Sequence, residues 1–280
     1  MALTSRRRSL LVTCLTVVAL PMAILTLLTV KQMQKMSQQD SFFAAIRRDD
    51  IAAVTVLFNS GADPNARDPK TAGGVSTVNR FFALINHNIQ RENGQTPLLA
   101  ALCQIHTFGP RNQPSISANP TPNIAILRAL LDNGAKVDAT DNTASMVPPV
   151  LFAVASGNKE AVDLLLQHGA KLNEVTEMGT PLICAAGQGR TEMMRLLLAQ
   201  GADVNAQDMT GTTALIATVQ HARMPASVQL LLDAHADVNR KDKRGSTALV
   251  YARTPSPGLA PSQTQYLPQV IALLKNAGAR

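Results

Sequence analysis

Tryptophan is absent, and seven Phe and two Tyr are the only aromatic side chains in 280 residues. Stacking platforms for bases and aromatic cages for cations are therefore excluded, and any core must be aliphatic. Charge is sparse too, at 16% of residues against 46% hydrophobic, which is the balance of a folded chain and not of a disordered one. Acidic residues are missing from the first 36 positions, where Arg6, Arg7, Arg8, Lys31 and Lys35 stand unopposed. Residues 37–280 carry 21 basic and 19 acidic side chains, so most of the formal charge of +7 belongs to the leader. A body this close to neutral lacks the electrostatic footprint that neutralising phosphates requires, and no nucleic acid partner is expected.

Reactive chemistry is equally scarce. The three cysteines, Cys14, Cys103 and Cys184, form no Cys-x-x-Cys pair, and the two in the body read as small buried thiols too far apart to join. The five histidines, His87, His106, His168, His221 and His235, are scattered, and none has a metal partner four residues on. There is no phosphate loop, dinucleotide fingerprint or nucleophile elbow, and Gly73-Gly74, with no strand before it, reads as a loop. No catalytic residue, cofactor or metal site is expected. The competing reading is a scaffold carrying an unrecognised catalytic or ligand-binding insertion, for which residues 66–92 offer Asp68, His87 and Glu92.

What is present begins with one long apolar run. The 22 residues Ser9 to Val30 contain no charge. As a helix they would extend roughly 33 Å, against a hydrocarbon core of about 30 Å. This predicts a transmembrane signal-anchor at 9–30, after a cytoplasmic N-terminus at 1–8 and before a juxtamembrane linker at 31–39. The run is longer than the apolar part of a cleaved signal peptide, the alternative that would yield an exported soluble chain. Three arginines before the span and two lysines after it put the bulk of the chain outside the cytoplasm by the positive-inside rule. A cytoplasm-facing adaptor is the reverse orientation.

From residue 40 onward the chain repeats. Gly61-Ala62-Asp63-Pro64-Asn65 recurs as Gly134-Ala135-Lys136-Val137-Asp138, Gly169-Ala170-Lys171-Leu172-Asn173, Gly201-Ala202-Asp203-Val204-Asn205 and His235-Ala236-Asp237-Val238-Asn239, and Gly278-Ala279 closes the series. Ahead of these come Thr96-Pro97-Leu98, Pro148-Pro149-Val150, Thr180-Pro181-Leu182, Thr213-Ala214-Leu215 and Thr247-Ala248-Leu249. Thr followed by Pro reads as an N-cap and first helical residue. The runs Leu164–Leu166, Leu196–Leu198 and Leu230–Leu232 give the buried face of a second helix, which a left-handed Gly then ends. Such helix pairs bury their apolar faces only by stacking on one another.

These residues resemble the ankyrin repeat, most cleanly over 178–205. The resemblance implies an all-α solenoid of about six helix-turn-helix units with hairpin turns, at about 40–68, 93–141, 142–174, 178–210, 211–244 and 245–280, preceded by the transmembrane helix. Insertions fall at 66–92, 107–122 and 254–267, and in the first the spacing of Val78, Phe81, Phe82, Ile85 and Ile89 predicts an extra short helix. The His of the family's Thr-Pro-Leu-His pattern is replaced by Leu99, Leu151, Ile183, Ile216 and Val250, which trades a hydrogen-bond network for apolar packing. His235 stands where a left-handed Gly is usual, a weak joint at about 1 kcal/mol.

The resemblance further implies a non-enzymatic protein-binding module, here tethered to an inner (cytoplasmic) membrane with its repeats in the periplasm. Its partners would be another protein and, through the N-terminal helix, the lipid bilayer; support of a stress or redox enzyme and neutralisation of a toxin both remain open. Family members bind through hairpin tips and first helices. The tips here are Asp141–Thr143, Glu174–Met178, Gln207–Thr210 and Arg240–Arg244, and the candidate partner-binding residues are Met178, Gln207, Asp208, Met209, Arg240, Lys241, Asp242, Lys243 and Arg244. The last tip, four bases around one acid, suits an acidic partner or a lipid headgroup.

Overall fold

A computed structural model describes residues 20–68, 96–103, 123–140, 147–176, 178–222, 224–254 and 265–280. The expected insertion helix at 78–89, the Pro-rich segment 107–122, most of 254–267, the tip Asp141–Thr143 and the first eleven residues of the apolar run lie outside these.

Twelve α-helices are described, and they fall into six pairs. They are α1 Leu20–Arg47, α2 Ile51–Asn59, α3 Pro97–Cys103, α4 Ile124–Asp132, α5 Pro149–Ser156, α6 Lys159–Gln167, α7 Pro181–Gly187, α8 Thr191–Ala199, α9 Ala214–Ala217, α10 Pro225–Asp233, α11 Ala248–Arg253 and α12 Leu267–Asn276. A π-turn, Thr218–Ala222, extends α9. No strand occurs among the described residues, only an isolated bridge between Thr176 and Gly179. First helices stack on first helices, α3 on α1 and α5, α7 on α5 and α9; among second helices, α4 packs on α2 and α6, and α10 on α8 and α12. The result is a two-layer all-α solenoid with one continuous aliphatic core.

Local sequence sets each element. The hydroxyls of Thr96, Thr180, Thr213 and Thr247 accept the amides of Leu99, Ile183, Ile216 and Val250, capping α3, α7, α9 and α11. Pro148 offers no such oxygen, and α5 starts without a side-chain cap. At the other end of each unit, Gly61, Gly134, Gly169, Gly201 and Gly278 hold φ between 85° and 90°. His235 adopts the same left-handed turn at φ 63°, in the strained geometry expected there. Of the leucine runs, only the middle residues Leu197 and Leu231 are wholly buried in α8 and α10, while Leu164 and Leu165 share the burial in α6. The residues replacing the family's His are buried at Leu99, Leu151, Ile183 and Ile216, but Val250 in the sixth unit is 42% exposed.

The motif's last residue fastens one unit to the next. Asn65, Asn173, Asn205 and Asn239 each donate an amide hydrogen to the carbonyl of the following unit's left-handed residue, at 3.0, 3.3, 3.4 and 3.2 Å. Each also accepts, through Oδ1, the amide two residues beyond that turn, at 2.7–3.0 Å. The longest amide-to-carbonyl contact is the one to His235, at the strained turn, where the accompanying bond from Asp237 N is short at 2.7 Å. Asp138 in the second unit has no hydrogen to donate and keeps only the bond from Lys171 N, at 3.3 Å.

The N-terminal region departs from expectation. Residues 31–39, expected as a linker, are helical, because α1 runs unbroken from Leu20 into the first repeat. Its C-terminal turns bury Phe42, Phe43, Ala45 and Ile46, and Gln38 Nε2 donates to the Ser60 carbonyl at 2.9 Å, tying the helix to the end of α2. Farther up, Leu27, Leu28, Val30 and Met33 are more than half exposed. Among the described residues no helix is long and apolar enough to cross a membrane; of the span expected at 9–30, only residues 20–30 are described.

Asn173→Ala is expected to cost about 1 kcal/mol, since two inter-unit hydrogen bonds are lost at exposed positions where water can take their place. Leu197→Ala, which empties part of a fully buried site between three helices, should cost about 2–5 kcal/mol. Urea denaturation of both variants beside the wild type measures the two values, and a larger loss for Asn173→Ala would reverse the assignment of what holds the stack.

Candidate functional site

The hairpin tips of the last three units are built by one device. Asp208 Oδ1 accepts the amides of Thr210 and Thr212, each at 2.8 Å, and Asp242 Oδ1 accepts those of Arg244 and Ser246, each at 2.9 Å. Gly211 and Gly245 follow with φ of 81° and 77°. Thr176 does the same work ahead of Gly179, taking the amide of Met178 at 3.1 Å. Adjacent tips are then joined, since Lys243 N donates to Thr210 O at 2.9 Å. A Cβ on Gly211 would lie 2.8 Å from that nitrogen, so only glycine allows the approach. Gln207 spans the same two tips: its Nε2 donates to the Gly211 and Lys241 carbonyls, at 2.6 and 2.9 Å, and its Oε1 accepts from Arg240 Nε at 3.1 Å.

The nine candidate partner-binding residues therefore divide. Met178 and Met209 are more than half exposed, and Arg240, Lys241, Lys243 and Arg244 are exposed as well. Asp242 is buried, Asp208 and Gln207 are half-buried, and all three spend their polar atoms inside the tips. Their role in the structure is to shape the surface that the other six present. The Asp242 carboxylate also accepts the Tyr251 hydroxyl at 2.5 Å. Burial by itself would raise its pKa; the bonds from Tyr251, Ser246 and Arg244, with the Arg244 charge, outweigh that and hold it below the usual value. The same bond to Asp242, then burial, pushes the Tyr251 hydroxyl up.

Between the tips and the first helices of the fourth, fifth and sixth units runs an open groove of about 460 Å³. Met178, Ile183 and Ala217 supply its apolar lining, and Gln220, His221 and Arg244 its polar side. Of these six only Met178 and Arg244 were foreseen as site residues, and the polar pair Gln220 and His221 has a particular origin. Thr213 lies one residue farther from the N-cap of α10, Met224, than Thr180 lies from the N-cap of α8, Arg190. The extra residue is absorbed as the π-turn Thr218–Ala222, which carries Gln220 and His221. Comparing unit lengths between caps would have revealed the insertion, though not which way it turns. Cys184 also borders the groove, 9% exposed, its thiol pKa raised by burial against an opposing pull from Arg190. His168 ends α6, with Nε2 3.6 Å from Asp132. Among the described residues no three His, Cys, Asp or Glu side chains are grouped to hold a metal ion.

Stacked helix pairs, glycine-ended second helices and a groove under projecting turns define a repeat solenoid with a recognition face. Residues 116–208 match the family described as ankyrin repeats, in three copies. The crystal structure of an ankyrin repeat domain from Acinetobacter baumannii AYE is similar to the chain, at 28% identity and a TM-score of 0.61, covering 85% of this chain and 98% of that domain. No curated protein matches it. The chain thus carries ankyrin repeats, which act as protein-protein interaction modules.

Because the folded-state pKa of Asp242 is lowered, its contribution to stability is present above the ordinary Asp value, about 3.9, and is lost as pH falls through the folded value. Asp242→Asn is expected to lower the urea midpoint at pH 7 and to approach the wild type at about pH 3. A gap of equal size at both values would remove the carboxylate from the account of the Arg240–Arg244 turn, which leads into the sixth unit and forms the sixth tip.

Proposed function

We propose that the protein is a non-catalytic recognition module, tethered to the inner membrane by its N-terminal helix, that binds another protein in the periplasm through the tip side of its last three units. The groove beneath the tips carries this reading. It is open, it is bordered by exposed Met178 and the basic sixth tip, and the carboxylates nearest to it are occupied in turn closure. A surface of this kind binds without turning over; support of a stress or redox enzyme and neutralisation of a toxin are the two outcomes such binding serves.

The tether is supported by the uncharged run Ser9 to Val30, and the orientation by the three arginines ahead of it. The continuity of α1 with the first repeat adds a mechanical point, because a helix entering the stack without a break holds the groove at a fixed attitude to whatever holds the helix. Ala19→Arg, near the middle of the run, is expected to cost about 2.5–3.5 kcal/mol of insertion free energy and to shift the chain from the carbonate-resistant membrane fraction to the soluble one. A wild-type chain found soluble, with residues 1–19 removed, would overturn the tether.

Binding is tested by placing a photo-crosslinking amino acid at Met209 on the tip side and, separately, at Arg195 on the exposed side of α8, in the membrane-bound protein. A discrete protein adduct from Met209 and none from Arg195 is expected. Reversing Arg240, Lys241, Lys243 and Arg244 to Glu together should abolish the adduct while shifting the thermal melt little, since exposed charges contribute at most about 1 kcal/mol each. An adduct that survives this reversal with an unchanged melt would take the basic tip out of the binding surface.

A further inference from the structure

The groove's chemistry is more specific than an open recognition face requires, and it differs from the rest of the stack at one place. In the fifth unit the first helix gains a residue and closes with the π-turn, and the two polar side chains from that turn, Gln220 and His221, line the groove opposite the sixth tip, which contributes Arg244. All three can donate hydrogen bonds, and the guanidinium can grip a carboxylate with two at once. No salt bridge among the described residues reaches Arg244, Lys243 or Lys241. The carboxylates on the groove among the described residues, Asp208 and Asp242, accept amide or hydroxyl hydrogens from residues two to nine positions on in the chain. Among the described residues none of these donors has a salt bridge to an acid, and Asp242, whose carboxylate feels the Arg244 charge, is already taken up by Tyr251 and by its own turn.

Space is left there as well. Gly187 ends α7 under the π-turn, and a Cβ added to it would meet nothing nearer than the His221 ring carbon, at 3.9 Å. Its backbone is not in the left-handed region, so the missing side chain is not demanded by the turn. What the glycine does is leave open the floor between Ile183 and His221, both of which line the groove.

We propose that this groove takes an acidic segment of a partner protein, with a carboxylate side chain seated against Arg244, His221 and Gln220 and an apolar neighbour on the Met178 and Ile183 wall. This rests on the protein-binding reading above and names the chemistry of the partner. A polyanion read through its bases is disfavoured by the groove's lining, in which Tyr251 is the only Phe, Tyr or Trp among the described residues.

The test uses the full chain in non-ionic detergent and a fluorescein-labelled peptide of twelve residues, Glu throughout except for two central Leu, with its Gln counterpart as the neutral control. The Glu peptide is expected to bind, in a salt-sensitive way, at least tenfold more tightly than the Gln peptide. Gly187→Leu fills the floor and should weaken binding at least tenfold; Arg244→Gln should weaken it several-fold. Lys275→Gln, which removes the same charge from the outer helix α12, should leave it unchanged. The thermal melt of each variant is recorded, and His221→Ala, at an exposed position, repeats the test if Gly187→Leu unfolds. Equal binding of the two peptides overturns the proposal, and so does equal weakening by Lys275→Gln and Arg244→Gln, the mark of unspecific attraction. Phosphatidylglycerol vesicles are run in parallel: binding to them that Gly187→Leu leaves intact, with no peptide binding, would make the face a lipid-headgroup surface and overturn the proposal. A partner crosslinked at Met209 whose capture is untouched by Gly187→Leu and Arg244→Gln would sink the acidic-segment assignment alone and leave the protein-binding function standing.

Discussion

A helix pair of this size buries too little apolar surface to persist alone, so everything in the molecule depends on how firmly one pair is fixed to the next. Aliphatic packing supplies most of the energy, but it is non-directional and would tolerate sliding between smooth leucine and alanine faces. The register comes from Asn65, Asn173, Asn205 and Asn239. Each reaches into the backbone of the following unit with one donor and one acceptor, and such a two-point contact is satisfied at one offset only. The left-handed residue that ends each second helix presents the carbonyl these amides need. Glycine at that place therefore serves the neighbouring unit as well as its own, and His235 and Asp138 mark the two joints where one half of the arrangement is compromised.

The tips repeat the principle on a smaller scale. Asp208 and Asp242 close their turns from inside, Gln207 and Gly211 let one tip rest on the next, and the side chains of Lys241, Lys243 and Arg244 are displayed because only their backbones take part, while Arg240 reaches across to Gln207. Residues adjacent in sequence thus have opposite duties: Asp242 is buried between Lys241 and Lys243, which are exposed. The groove under the tips owes its shape to a single additional residue. An ordinary helix end at Thr218–Ala222 would continue the pattern of α7; the π-turn instead widens the coil.

At the other end of the stack, α1 serves two environments. Its last turns are core, with Phe42 edge-on to Phe58 at 5.0 Å and Arg47 over the Phe43 ring at 5.8 Å. The turns before them expose Leu27, Leu28, Val30 and Met33. Leu27, Leu28 and Val30 belong to the uncharged run Ser9 to Val30, and Met33 follows it after Lys31.

The sequence alone carried the number of helix pairs, their order and their ends, because those depend on local chemistry: a threonine hydroxyl over three residues, a glycine free to adopt positive φ, a leucine stripe at helical spacing. The tips were placed through the family resemblance, and Asp208 and Asp242 close two of them from within. The sequence did not reveal that α1 is continuous through residues 31–39, where polar residues read as a linker; the buried Phe42 and Phe43 and the bond from Gln38 to Ser60 anchor the helix from a distance of 22 residues. Nor did it separate Gln207, Asp208 and Asp242 from the exposed bases beside them. For Gln207 the reason is tertiary, since its contacts with Arg240 and Lys241, more than 30 residues on, exist only once the units have stacked; Asp208 and Asp242 close their turns on amides two and four residues on, a local pattern that the reading of exposed tips passed over.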